Sequence, residues 1–342
     1  MKNKVINLII EWIVAVFIAV MIINISLFFI YHPAPWIDTD SNATHGLFAP
    51  RSTIVYGEEG YGIRKVDMNG YANPESRLKK DSYVLFMGSS HSVGKEIKQG
   101  RSFIDILEKE YGYDVYSIAM DGHYYPEIVS GFSAAVEQFP NANTIVIEIG
   151  TTDYTIDELT KSINQRIFDN SKVASKMIDT FGKKEKIKLF YQEYLPLIRA
   201  ISKNVKAKKN GLNSNVITED ITITEKIHEG GYETAINSTF CALKQRYKGR
   251  IVIAYHPNLK LLEDGSLEIV DSDSKEIFKS CCERYNIDFI DAGSRFVSEY
   301  NSNNILPYGF MNTAYGQGHL NETGHKIMAD MINEALEGRH ND

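Results

Sequence analysis

Residues 84–92, Val-Leu-Phe-Met-Gly-Ser-Ser-His-Ser, run from an apolar stretch short enough for a buried strand into a glycine, three hydroxyls and an imidazole. That order places a nucleophile at the tip of a strand. A serine hydroxyl needs a base to take its proton, and histidine is the side chain whose ordinary pKa suits that task near neutrality. Late in the chain, His319-Leu-Asn-Glu-Thr-Gly-His325 sets a histidine just before a helix start, with Asn321 read as that helix's N-cap. Between them, Ile147-Glu-Ile-Gly-Thr-Thr-Asp153 is a third apolar run ending in glycine and small polar groups. Three such strand ends in one chain point to a hydrolase centre.

Other chemistries find less support. His319 and His325 are six apart, not the four that puts two ligands on one helical face, and with Asp330 they make no metal motif. A phosphate-binding Gly-x-x-x-x-Gly-Lys-Ser/Thr loop and a Gly-x-Gly-x-x-Gly after a strand are both missing, so no cofactor is expected. The Gly-x-Ser-x-Gly elbow fails because Gly88-Ser-Ser-His-Ser92 ends in serine.

On these residues the chain resembles the SGNH (GDSL-like) hydrolase superfamily over roughly 81–336. The resemblance implies a three-layer α/β/α, flavodoxin-like fold with a parallel sheet of about five strands. It implies Ser90 as nucleophile and His319 as base. Ser90 and Gly122, the latter in Ser117-Ile-Ala-Met-Asp-Gly122, match the oxyanion-hole N–H groups, and Thr152 in Gly150-Thr-Thr-Asp153 stands where the family has asparagine. Gly316 stands where the family has the histidine's aspartate. The carboxylate of a triad holds the tautomer of the imidazole and stabilises the imidazolium. Asp153 and Asp291 are candidates to approach His319, while His91 and Asn321 are candidates to surround the site; His325 reads as a surface or surrounding group. The working mechanism is a Ser–His dyad, or a histidine oriented by a backbone carbonyl, and it carries the expectation that Gly316→Asp raises turnover. Membrane-tethered relatives make acyl, above all acetyl, esters of cell-surface glycans the implied substrate, with water or a sugar hydroxyl as acceptor. The alternative is a degenerate, non-catalytic binding or assembly factor for envelope polysaccharide.

The elements that would position these residues are legible as alternation. Strands are expected at Tyr83–Met87, Val115–Ala119, Thr144–Ile149, Ile251–Tyr255 and Ile287–Ile290, each short and apolar as a strand covered on both faces must be. Helices are expected at 102–111, 126–138, 226–247, 272–285 and 322–337. Strand–helix alternation gives a parallel sheet with right-handed crossovers, whose sites gather at the carboxyl ends of the strands. The spacing leaves a helical insertion at about 155–245, with a polar loop around Asn210–Glu219. Its Lys172–Lys209 portion has eleven Lys/Arg against three acidic residues, interleaved with Ile187, Leu189, Phe190, Tyr194, Leu195, Leu197, Ile198 and Ile201. A solvated amphipathic helix packing its apolar side on the core is preferred here to a lid touching an anionic glycan or the membrane surface.

The chain has 342 residues, 43% hydrophobic and 24% charged, which is ordinary globular composition. Its net charge of −7 lacks the basic footprint that nucleic acid requires. The N-terminus departs from that average. Trp12 to Tyr31 is nearly uncharged and long enough for roughly 30 Å of hydrocarbon. Lys2 and Lys4 precede it and Asp38 and Asp40 follow, so a single span with a cytoplasmic N-terminus is expected. The organisation is then a transmembrane anchor at 1–35, a stalk with short strands at 36–80, and the main domain at 81–338. The bilayer and an acylated glycan or small ester are the expected partners, and the oligomeric state is open. Three cysteines, two of them the adjacent Cys281 and Cys282, make no disulfide framework.

Overall fold

The computed structural model describes residues 2–32, 34–37, 47–79, 81–164, 181–201 and 229–338. The loop around Asn210–Glu219, and Asp38 and Asp40, lie outside them. Helix α1 (Lys2–Ile30) is apolar all round, and the rest of the chain buries none of its most apolar stretch.

A five-stranded parallel sheet forms the centre. In chain order its strands are β5 (Tyr83–Met87), β6 (Val115–Ser117), β7 (Ala142–Ile149), β8 (Arg250–Tyr255) and β11 (Asp288–Asp291), laid side by side as β6-β5-β7-β8-β11. This is the flavodoxin-like order, with its switch point between β5 and β7, where ligands bind beyond the strand ends. Alternate residues face opposite layers, as a period of two requires. Leu85, Met87, Ile145, Ile147, Ile251 and Ile253 pack on α4 (Tyr125–Gln138), α7 (Glu229–Arg246) and α8 (Lys275–Arg284). Val84, Phe86, Val146, Val252 and Ala254 pack on α3 (Phe103–Lys109), α9 (Gly293–Asn303) and α10 (Glu322–Glu337). The fold class expected above is the one observed. The sequence reading passed over α9 and a hairpin of β9 (Asn258–Leu261) and β10 (Leu267–Val270). Asp264-Gly265 at that hairpin's turn was the available signal.

Residues 47–79 do not stand off as a stalk. With Trp36 and Ile37 they form two antiparallel pairs, β1 (Trp36–Ile37) with β2 (Leu47–Phe48) and β3 (Thr53–Tyr56) with β4 (Gly62–Lys65), which pack on the sheet domain. Ala34, Phe48, Ile54 and Val66 share a small core with Val93 and Ala119. Buried polar contacts key the pieces together. Asp105 binds Arg64 and, at 2.8 Å, Arg77. The Asp67 carboxyl accepts from Tyr116 at 2.6 Å and Asn73 at 3.1 Å. A buried carboxylate survives only with such partners.

In the insertion, α5 (Ile156–Asn164) packs on α7. Helix α6 (Lys183–Tyr194) corrects the expectation of a core-packed amphipath: it buries no residue fully, and Leu189 packs on the core while Ile187, Phe190, Tyr191 and Tyr194 are exposed. Pro196 ends its run, and residues 196–201 form a further helical piece.

Candidate active site

Strand β5 is buried along its whole length and stops at Gly88. The chain then turns into the single helical turn α2 (Ser90–Val93), with Ser89 as N-cap accepting from the His91 N–H at 3.3 Å. Ser90 is therefore the first helical residue at the carboxyl end of a central strand. Glu148 of β7 fixes this turn from beneath, accepting from the Ser89 N–H and the Ser92 hydroxyl, both at 2.8 Å. It also contacts His256 Nε2 at 2.7 Å, and His256 Nδ1 meets the Tyr308 hydroxyl at 2.9 Å. Burial works to raise the Glu148 pKa, but hydrogen bonding and charge from His256, with His91 and Ser89 adding, bring it down to about 2. The carboxylate is an ionised pin under the nucleophile turn.

His319 Nε2 lies 2.8 Å from Ser90 Oγ, although 229 residues separate them. The loop carrying the histidine is held by the bridge between Tyr308 and Leu320 and by the Gly309 N–H donating to the His319 carbonyl at 3.0 Å. Behind the imidazole stands Glu59. Its Oε2 is 2.5 Å from His319 Nδ1, and its Oε1 accepts from the His319 backbone N–H at 2.8 Å. An ionised Glu59 fixes the tautomer with hydrogen on Nδ1, which leaves Nε2 as acceptor for the serine proton.

Glu59 sits in the loop joining β3 to β4. That loop is clasped by Asn312, which accepts from the Gly60 N–H at 2.8 Å and donates to the carbonyls of Gly57 and Gly60 at 3.2 and 3.1 Å. Gly60, at φ +63°, lets the loop lie directly on the Glu96 carbonyl, where a Cβ would come within 2.1 Å. Gly318 serves the other side: a Cβ there would stand 2.2 Å from Glu59 Oε1. Gly318 makes room for the carboxylate, and Gly60 for the close approach of its loop.

The sequence candidates now have places. His91 lies between His256 and His319, ring centroids 4.4 and 4.9 Å away, and its Nδ1 accepts from the Leu320 N–H at 3.2 Å. Burial above all, then the charge of His256, holds its pKa well below the usual imidazole value. Neutral His91 is a spacer that seats the His319 loop. Asn321 caps α10, accepting from the N–H groups of Thr323 and Gly324 at 3.0 and 3.2 Å. Gly122, at φ +73°, follows β6, and neither its N–H nor that of Ser90 has an acceptor among the described residues.

Several candidates lie elsewhere. Thr152 is fully buried, and its hydroxyl accepts from Ser274 at 3.0 Å rather than opening on the site. Asp153 accepts from the Ser274 N–H and hydroxyl at the start of α8, at 3.0 and 2.7 Å. Asp291 pairs with Lys275 at 3.1 Å. Neither approaches His319, since helix starts and a lysine already satisfy them. His325 is not at the surface. It is stacked on Phe103 and accepts from the Phe103 N–H at 3.2 Å, and burial, with Arg64 second, takes its pKa down to about 3. Gly316, at φ +76°, donates to the Tyr308 carbonyl and leaves the acid's task to Glu59.

Glu96 was not anticipated. It is 1% exposed, Oε1 has no hydrogen-bond partner among the described residues, and that oxygen is 3.6 Å from His319 Nε2. Burial raises its pKa to about 7, against the opposing charges of His319 and Lys95. It lines a cavity of about 350 Å³ with Tyr61, Phe310, Met311, Tyr315 and Thr323. Neither Ser90 nor His319 lines that cavity, and Glu96 is the residue that links it to the pair.

No family model matches the chain, and no curated protein matches it. Among solved structures it is similar to the acetyl xylan esterase AlAXEase, at 12% identity and a TM-score of 0.39 over 74% of this chain and 98% of that one. It is also similar to a putative lipolytic protein of the G-D-S-L family from Desulfitobacterium hafniense DCB-2, at 10% identity and 0.37, over 74% and 98% of the two chains. A third is the salicylyl-acyltransferase SsfX3 from a tetracycline biosynthetic pathway, at 12% and 0.38, over 76% of this chain and 56% of that one.

Proposed function

We propose that this protein is a serine-dependent ester-acting enzyme, tethered to the membrane by α1, that handles acyl esters of cell-surface glycans through an acyl-Ser90 intermediate. The observation that carries the reading is the continuous chain from Glu59 through both nitrogens of His319 to Ser90 Oγ, at 2.5 and 2.8 Å.

In the first half-reaction Ser90 Oγ attacks the ester carbonyl while its proton passes to His319 Nε2. Glu59 stabilises the imidazolium that forms. Negative charge develops on the carbonyl oxygen, and the N–H groups of Ser90 and Gly122, which lack acceptors among the described residues, are the proposed donors to it. Thr152, turned into the core, is left out of that role. Collapse breaks the C–O bond of the ester, and His319 returns its proton to the leaving alkoxide. In the second half-reaction His319 takes a proton from the acceptor hydroxyl as that oxygen attacks the acyl-serine, and returns it to Ser90 Oγ as the acyl C–O bond to the serine breaks. Water gives an esterase and a sugar hydroxyl gives an acyltransferase. With Glu59 in the acid's position, Gly316 no longer argues for a degenerate site.

The test is covalent. A fluorophosphonate should label the full-length protein at Ser90, and Ser90→Ala should lose both the label and hydrolysis of a short acyl ester, by at least about 10³-fold. An unlabelled wild type that releases no acetate from acetylated polysaccharide and transfers none to a sugar would end the enzymatic reading in favour of a binding factor.

A further inference from the structure

Helix α6 and the piece at 196–201 carry a charge pattern that the proposed chemistry does not use. Ile187, Phe190, Tyr191 and Tyr194 fall at helical spacings of three and four, so they share one face, and all are exposed. Ile198 and Ile201 continue as exposed apolar residues beyond Pro196. On the helical wheel Lys184, Lys186 and Lys188 flank this stripe and Lys183 falls within it, whereas Glu185 lies on the opposite side and Glu193 falls beside Lys186. An apolar stripe bordered by three lysines against a single border acid, with Glu185 turned away, is the pattern of a helix lying in a lipid headgroup layer. A helix meant to float in water has no use for an exposed Ile-Phe-Tyr-Tyr face.

The position of this segment in the fold says what covers that face. The Asn24 side chain of α1 donates to the Tyr194 carbonyl at 3.0 Å and accepts from the Leu197 N–H at 3.3 Å. Helix α1 rises about 43 Å over its length, against roughly 30 Å of hydrocarbon, so with Lys4 rather than Trp12 at the inner boundary the outer boundary of core and headgroups falls near Asn24. An asparagine there is satisfied by the segment it holds. The hairpin that carries Glu59 meets the same end of α1, with the Tyr61 hydroxyl donating to the Phe29 carbonyl at 2.8 Å.

We infer that residues 183–201 are an interfacial element seated in the headgroup layer of an anionic bilayer beside α1, with the active-site hairpin held at the same surface. This rests on α1 being a membrane anchor. The two claims separate in one experiment on the full-length chain, with Cys241→Ser removing the partly exposed thiol. A fluorophore is attached through Phe190→Cys, Glu185→Cys or Val16→Cys, and the protein is reconstituted in phosphatidylcholine vesicles with or without phosphatidylglycerol, containing spin-labelled lipid. Position 16 should be quenched by a deep spin label, and position 190 by a shallow one at least about twofold more than position 185. Phosphatidylglycerol should deepen the quenching at 190, and Lys184→Gln with Lys188→Gln should cancel that gain. Equal, weak quenching at 190 and 185 with position 16 quenched would overturn the interfacial seat and leave the anchor standing. An unquenched position 16 would overturn both. Quenching at 190 indifferent to phosphatidylglycerol would overturn the anionic partner.

Discussion

At the scale of single residues, the contact between Glu59 and His319 Nδ1 separates a supported base from a bare dyad. Glu59→Gln keeps the shape and removes the charge, so the imidazole can adopt the wrong tautomer. We expect kcat for a short acyl ester to fall about 10³- to 10⁴-fold with KM little changed. Gly316→Asp, which a bare dyad would reward, should here leave turnover level or lower it. The site already has its acid, and an aspartate at φ +76° is strained. A gain in Gly316→Asp, or full activity in Glu59→Gln, read by burst kinetics on folded protein, would contradict the arrangement.

Glu96 makes a second prediction, in stability. Its folded pKa of about 7 lies above the ordinary 4.5 because burial disfavours the charged form. A raised acid contributes stability that is whole below pH 4.5 and is lost as pH rises through 7. This one buried carboxyl should therefore cost wild type about 3 kcal/mol between pH 4.5 and pH 8. Thermal unfolding of Glu96→Gln in detergent should show a correspondingly flatter fall over that range. Parallel pH profiles for the two proteins would assign the slope to other groups.

At the scale of elements, the β3–β4 hairpin is a structural part of the site, and Arg64 locks it down. Arg64 donates to the Gly94 carbonyl at 2.8 Å and pairs with Asp105. Burial would raise the Asp105 pKa, but Arg64 and Arg77 together hold it well below the carboxylate range. Arg64→Met would leave that carboxylate to Arg77 alone and free the hairpin. We expect a loss of about 3 kcal/mol in unfolding free energy, with a fall in kcat as Glu59 drifts from His319. Unchanged activity in a destabilised but folded variant would mean that Asn312 alone holds the loop.

The strands and their order were legible because Tyr83–Met87 or Ile251–Tyr255 can only be buried on both faces, and such runs admit few layouts. Ser90 and His319 were legible through the family resemblance, at a strand end and just before a helix cap. Glu59 was not. It lies in Gly57-Glu-Glu-Gly-Tyr-Gly62, a polar turn with no periodicity, and reaches a histidine 260 residues away across an interface that local pattern cannot encode. The exposed face of α6 misled in the opposite direction, because an apolar stripe reads the same whether protein or lipid covers it.

At the scale of the whole molecule, the proposed topology rests on the lysines before the apolar helix, the domain beyond it and a site joined to the end of that helix. Lys2 and Lys4 on the cytoplasmic side would place everything from His32 onward outside. On that topology the hairpin carrying Glu59 would work at the outer membrane–water boundary, since His32 pairs with Val55 in β3 and Tyr61 binds the last turn of α1. A cytoplasmic domain would instead put this site on the wrong side of the membrane from any surface glycan. Protease added to intact cells, with outer layers permeabilised, should therefore degrade the domain while a cytoplasmic marker survives, and detergent should add nothing further. Protection matching the marker would reverse the topology and remove surface glycans as substrate. It would leave the Glu59–His319–Ser90 chemistry to act on an ester inside the cell.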